Sequence, residues 1–165
     1  MTHKENPVSV YDVETLISQA RKLAADYLAT MGKPLPGMSG EIALNDAARL
    51  LNLALCQDQN LSYDAIGQGN NAGKKVQIKG RLVLEDDKSN QRIGQVSIDK
   101  AWDSVVLVLL NENYEPYELY EAERDMIIQH AADSSEGKKK RGALSVARFK
   151  KIAALVWAKD VAHAD

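Results

Sequence analysis

Cysteine, histidine and long hydrophobic runs are scarce in this sequence of 165 residues. The single cysteine, Cys56, cannot form an internal disulfide, and with only three scattered histidines it cannot complete a structural zinc site. The apolar runs of the sequence, such as Val105 to Leu110, are far shorter than the roughly 20 residues that cross a membrane. The first residues lack the apolar stretch of a signal peptide. The sequence therefore predicts a cytoplasmic protein without a membrane partner.

Aromatic residues are also few, at 5% of the chain, and they form no row on a basic face. This argues against a stacking platform dedicated to single-stranded nucleic acid. Hydrophobic residues make up 45% and charged residues 27%, which is ordinary for a globular domain. We expect an N-terminal amphipathic helix and linker over residues 1–36, followed by one domain over residues 37–165.

Charge is distributed unevenly, although the formal net charge is only -2. Acidic residues dominate residues 112–136, whereas residues 137–159 contain none. A lysine run is commonly a solvated surface, and it can also be a surface that contacts phosphate. The sequence alone leaves both interpretations open.

Hydrophobic periodicity changes from helical spacing to the alternation of strands and back. The helical spacing predicts helices over 10–30, over 40–56 with Ser39 as its N-cap, over 122–131 and over 145–160. Alternation and apolar runs predict strands over 61–66, 74–84, 92–98, a central one over 105–110 and an edge one over 117–120. This order predicts an α/β (α+β) fold with a small mixed β-sheet flanked by helices.

A glutamine and a lysine alternate in the strand predicted over 74–84. Because alternate residues share a face, Gln77 and Lys79 should project together, and a hairpin would bring Asp64 close to both. Carboxylate and amide oxygens suit Mg²⁺, and a nearby lysine can orient or deprotonate a water bound to it. A cross-strand ion pair between Asp64 and Lys79 explains the same residues without any function. The spacing does not decide between these hypotheses.

Glu41 is a fourth candidate, in the first turn of the second predicted helix. A carboxylate there complements the positive end of the helix dipole, which is a complete structural explanation. Its functional alternative requires the helix to pack beside the two strands, so that Glu41 faces the metal.

Taken together, the segments Gly40-Glu41, Tyr63-Asp64 and Gln77-Ile78-Lys79-Gly80, followed by a buried strand, resemble the PD-(D/E)xK nuclease superfamily over about residues 38–120. The likeness is to a small, uncharacterised bacterial branch with a QxK variant of the motif. It implies a restriction-endonuclease-like fold with an added N-terminal helix. It also implies Asp64, Gln77 and Glu41 as metal ligands, Lys79 as the motif lysine, and Mg²⁺ (or Mn²⁺) as cofactor.

The sequence departs from the motif at two positions. Tyr63 precedes Asp64 where the motif has proline, and Gln77 replaces the usual acid. The second change removes one negative charge at the metal. The helix expected after Lys79 is also not visible over residues 81–98.

The resemblance implies a Mg²⁺-dependent nuclease, a hydrolase of phosphodiesters, with DNA as the expected partner. A homodimer would let two sites address both strands. The alternative is a catalytically inactive member of the fold that binds nucleic acid or protein. The implied nucleic-acid contacts are the basic residues Lys74, Lys75, Arg81, Lys138, Lys139, Lys140, Arg141 and Arg148.

Overall fold

The computed structural model describes residues 10–84, 91–131 and 144–160. Four α-helices lie in these ranges: α1 (Val10–Met31), α2 (Met38–Leu51), α3 (Arg124–Ala131) and α4 (Val146–Ile152). They flank six strands: β1 (Leu53–Leu55), β2 (Ala65–Gly67), β3 (Lys75–Leu82), β4 (Ser104–Leu110), β5 (Pro116–Glu123) and β6 (Ala154–Ala158). The prediction of an α+β fold around a mixed sheet is confirmed.

The strands form one sheet in the order in which they follow one another in the chain, from β1 to β6. The β3–β4 pair is parallel, and every other neighbouring pair is antiparallel. The expected hairpin is present, because β2 pairs with β3 through Ala65 opposite Val76 and Ile66 opposite Lys75. All seven residues of β4 are buried, as expected of a central strand covered on both faces.

Each face of the sheet has its own hydrophobic core. On one face, α1 and α2 cover the apolar side chains of β3 and β4 that include Ile78 and Val106. On the other face, the segment 91–103, α3 and α4 cover a second set that includes Leu107. Because alternate residues of β3 point to opposite faces, Gln77 and Lys79 lie on the side covered by the segment 91–103.

The α2 helix lies unusually close to β3. A Cβ atom at Gly80 would come within 2.4 Å of the Cβ of Ala43 and within 2.6 Å of the carbonyl oxygen of Ser39. Only glycine permits this approach, which fixes the beginning of α2 against the strand that carries Gln77 and Lys79.

The α1 helix packs on α2 through an apolar contact and an ion pair. Ala24 is fully buried in the core, and Arg21 donates to both carboxylate oxygens of Asp46 at 2.7 and 2.9 Å. Arg21 also donates to the carbonyl oxygen of Tyr114, in the turn between β4 and β5. No helix in the described ranges is long and apolar enough to cross a membrane.

Several predicted boundaries are wrong in detail. The second helix ends at Leu51, since Asn52 adopts a left-handed φ of 54° and β1 follows. Ser39 lies inside this helix, and Gly37 takes the N-cap position. The segment 92–98 forms no strand and makes only an isolated bridge between Arg92 and Ser145.

The largest correction concerns the last predicted helix. It forms only as the short α4, and Ala154–Ala158 instead forms β6, which pairs with β5. Consequently β5 is not the edge strand that the sequence predicts. The segment Ala-Leu-Val-Trp-Ala contains β-branched and aromatic residues, and the open side of β5 gives them a partner.

Candidate active site

Asp64 lies immediately before β2, at the end of the β2–β3 pairing. Its backbone nitrogen donates to the carbonyl oxygen of Val76 at 2.9 Å, so the main chain still follows β3. Its Oδ2 accepts from the backbone nitrogen of Ile78 at 2.7 Å. The Oδ1 atom has no hydrogen-bond partner among the described residues. One carboxylate oxygen therefore supports the strand and the other can accept a ligand.

Gln77 is a buried polar residue, with 7% of its surface exposed. Its Nε2 donates to the carbonyl oxygen of Ser62 at 2.8 Å. Because this bond fixes the orientation of the amide, Oε1 is the atom that Gln77 can offer to a ligand. An amide oxygen is a suitable ligand for a hard cation, although it carries no net charge.

Lys79 follows Gln77 on the same face of β3. Its Nζ donates to the carbonyl oxygen of Gln95 at 3.1 Å. Burial lowers the pKa of the Lys79 ammonium below its usual value, while the Asp64 carboxylate raises it and Arg81 lowers it further. A lysine in this environment gives up its proton more readily than an exposed lysine.

The segment 91–103 forms the wall opposite these residues and is held firmly in place. The indole Nε1 of Trp102 donates to the carbonyl oxygen of Ser97 at 2.7 Å. The Arg124 guanidinium stacks 4.6 Å from the Trp102 ring. Arg124 also donates to three carbonyl oxygens of the segment, those of Ile98, Lys100 and Trp102.

A cavity of about 220 Å³ lies between the two walls. Asp64, Gln77 and Lys79 line it on the sheet side, and the segment 91–103 contributes Gln95, Ser97 and Lys100. The structure thus brings together three of the four residues that the sequence singles out. Sequence reasoning missed the three residues of the opposite wall, because the segment 91–103 carries no motif and was predicted to contain a strand.

Glu41 lines a neighbouring cavity instead. This second cavity, of about 640 Å³, also contains Cys56, Asp58 and Asp64, so Asp64 belongs to both. The structure does not place Glu41 with Gln77 and Lys79, because α2 covers the opposite face of β3. Cys56 is not activated as a nucleophile, since burial, together with the charges of Asp64 and Asp58, raises the pKa of its thiol.

The structure describes four of the eight basic residues implied as nucleic-acid contacts. Lys74 pairs with Glu121 and Glu123, and Lys75 lies 5.5 Å from the Tyr63 ring. Arg81 donates to the carbonyl oxygens of Gly80 and Arg92. Arg148 is exposed on α4. The remaining four, Lys138, Lys139, Lys140 and Arg141, lie outside the described residues.

The donor set of the 220 Å³ cavity fits a metal ion that needs few protein ligands. The described residues contain no group of three or more histidine, cysteine, aspartate or glutamate side chains arranged to hold a metal. Asp64 and Gln77 nevertheless offer one carboxylate and one amide oxygen, and Mg²⁺ commonly keeps several waters beside one or two protein ligands.

Comparison of the sequence with models of known protein families finds no match, and comparison with curated proteins finds none either.

Proposed function

We propose that the protein is a Mg²⁺-dependent nuclease that hydrolyses phosphodiester bonds, with DNA as its substrate. The observation that supports this most directly is the shared cavity of Asp64, Gln77 and Lys79. A carboxylate, an amide oxygen and the ammonium of a half-buried lysine combine oxygen ligands suited to Mg²⁺ with a group that can act on water or on a phosphate.

The order of elements around the cavity also supports the proposal. A helix precedes an antiparallel β1–β2–β3 meander, and β4 then pairs with β3 in parallel. This is the order expected of a restriction-endonuclease-like core, with Asp64 and the Gln77–Lys79 pair at the corresponding positions. The helix expected between the last two strands has no counterpart in residues 91–103.

The mechanism assigns each residue a distinct task. Asp64 Oδ1 and Gln77 Oε1 would hold Mg²⁺, which when bound polarises the phosphate and makes water more acidic. Lys79 holds the attacking water or stabilises charge on the phosphate, and its lowered pKa favours proton transfer at Nζ. Water adds to phosphorus as the bond to the sugar oxygen breaks, which yields one phosphomonoester and one hydroxyl.

A second candidate function is a non-catalytic module that binds nucleic acid. The observation in its favour is that the 220 Å³ cavity contains a single carboxylate among its lining residues. A site with one anionic ligand holds a divalent cation less tightly than a site with two.

Cleavage of plasmid DNA in millimolar Mg²⁺ or Mn²⁺ distinguishes the two. The best variant is Asp64→Asn, because its side-chain oxygen can still accept from the nitrogen of Ile78. Asp125→Asn, at an exposed position on α3, is the matched control. The proposal predicts metal-dependent nicking that Asp64→Asn abolishes and Asp125→Asn retains. Wild-type protein that binds DNA without cleaving it would favour the non-catalytic module.

A further inference from the structure

Lys100 is the third charged residue that lines the 220 Å³ cavity, beside Asp64 and Lys79. It is exposed. None of the described residues offers its ammonium an acidic partner within ion-pair distance. The cavity therefore contains two ammonium groups against one carboxylate, an excess of positive charge that suits an anion.

The position of Lys100 is set by the fold. Its backbone nitrogen donates to the carbonyl oxygen of Ser97 at 3.2 Å, and its carbonyl oxygen accepts from Arg124 at 2.6 Å. The next residue, Ala101, accepts at its carbonyl oxygen from the hydroxyl of Ser62 at 2.6 Å. These bonds fix the backbone at the edge of the cavity, so the lysine side chain extends from a rigid base.

Three other lysines near the sheet are paired with glutamates. Lys74 is bound by two glutamates of β5, Lys150 lies against Glu118 of the same strand, and Lys159 lies against Glu115 just before it. Lys100 differs because it combines an unpaired charge with a place in the cavity that holds Asp64, Gln77 and Lys79.

We propose that Lys79 and Lys100 form a phosphate subsite, in which Lys100 binds a phosphodiester of the polynucleotide beside the Asp64–Gln77 ligands. This inference rests on the proposed nuclease function, since it takes a polynucleotide as the ligand. Each lysine that neutralises a phosphate releases condensed counterions, so its contribution is visible in the salt dependence of binding.

The test is the anisotropy of a fluorescent DNA duplex in EDTA, which prevents cleavage, at several chloride concentrations. Lys100→Gln removes the charge, Lys100→Arg retains it, and Lys33→Gln, at an exposed lysine after α1, is the matched control. We expect Lys100→Gln to reduce the slope of log K against log salt by about 0.9, and Lys100→Arg and Lys33→Gln to leave it unchanged. Wild type should then lose about threefold more affinity than Lys100→Gln between 50 and 200 mM salt.

Three results would overturn the subsite. The first is the same slope for wild type and Lys100→Gln, and the second is no binding of the duplex at all. The third is displacement of the duplex by submillimolar inorganic phosphate at constant ionic strength, dependent on Lys100, which would show a site for free phosphate.

Cleavage by the same variants in Mg²⁺ separates this inference from the proposed function. If wild type cleaves DNA but has the same salt slope as Lys100→Gln, the subsite is refuted and the nuclease function is retained. If the salt slope depends on Lys100 but wild type does not cleave DNA, the nuclease function is refuted. The subsite is then retained as part of a binding module.

Discussion

At the scale of single residues, the carboxylate of Asp64 supports the backbone of the sheet and also faces a cavity. Its Oδ2 accepts from the nitrogen of Ile78 inside the sheet, while its carboxylate also lines the 220 Å³ cavity. A loss of activity in a variant that lacks the whole side chain would therefore have two explanations. The stability of two variants separates them.

Asp64→Ala should lower the free energy of unfolding by about 1–3 kcal/mol, because it leaves the nitrogen of Ile78 without an acceptor. Asp64→Asn keeps an acceptor oxygen in the same place, so its loss should be under about 1 kcal/mol. Urea unfolding followed by circular dichroism measures both. Equal losses in the two variants would contradict the hydrogen-bond role of Asp64.

Tyr120 gives the fold a pH dependence that can be measured. Burial, together with its hydrogen bond to Glu118, raises the pKa of Tyr120 to about 12. Because the folded state holds this proton more tightly, the stabilisation is complete below the unfolded pKa of about 10 and is lost as the pH rises through about 12.

The stability difference between wild type and Tyr120→Phe should therefore be constant below pH ~9 and shrink above pH ~10. Chemical unfolding at a series of pH values measures the difference, with Tyr27→Phe on α1 as the control. A difference that does not change with pH would contradict the role given to the Tyr120 hydroxyl.

At the scale of elements, close packing of α2 on β3 determines which side of the strand the site occupies. Gly80→Ala places a methyl group against Ala43 and the carbonyl of Ser39, and should cost about 1–3 kcal/mol of stability. Gly40→Ala, inside the same helix with open space around it, should instead gain about 0.5–1 kcal/mol. Thermal unfolding of both variants measures the contrast. Two changes of the same sign would show that α2 does not constrain β3.

The ion pair between α1 and α2 is the second element-scale contact. Asp46 is 1% exposed and is held by Arg21, so Asp46→Ala should lower the free energy of unfolding by about 2–4 kcal/mol. Lys22→Ala breaks the exposed pair with Asp26 on the same helix and should cost less than about 0.5 kcal/mol. Denaturant titration compares the two, and equal effects would mean that Arg21 and Asp46 do not anchor α1.

Sequence patterns predict those helices and strands of this protein for which local signals and tertiary contacts agree. The helical spacing of α1 and the apolar run of β4 are strong local signals, and both elements form as predicted. The segment 154–158 has the apolar content of either a helix or a strand. Pairing with β5 decides in favour of a strand, and no local pattern contains that information.

The residues of the site were also predictable only where a local pattern positions them. Alternation in β3 is enough to place Gln77 and Lys79 on one face, and the hairpin brings Asp64 to them. It cannot show that Glu41 lines the neighbouring 640 Å³ cavity with Asp64 instead of the 220 Å³ cavity, since this depends on which face α2 covers. Lys100 reaches the cavity only because Trp102 and Arg124 fold its segment over β3, a tertiary arrangement with no sequence signature.

At the scale of the whole molecule, charge must be concentrated locally if the protein is to bind a polyanion. The net charge of -2 gives no general attraction to DNA, and several lysines beside the sheet are paired with glutamates of β5 or of the turn before it. In the described part of the chain, the 220 Å³ cavity brings the two lysines Lys79 and Lys100 together with the side-chain oxygens of Asp64 and Gln77.

The proposed nuclease function requires Asp64 and Gln77 to hold a divalent cation together. Calorimetric titration of Mn²⁺ or Mg²⁺ into wild type, Gln77→Glu and Asp64→Asn tests it most directly, with Gln68→Glu, at an exposed glutamine, as the matched control. Adding a negative charge beside the cation should tighten binding by about tenfold, or roughly 1.4 kcal/mol, in Gln77→Glu. Asp64→Asn should weaken binding by a similar factor, and Gln68→Glu should leave it unchanged. Identical affinities in all four proteins, or no binding in any of them, would contradict the claim.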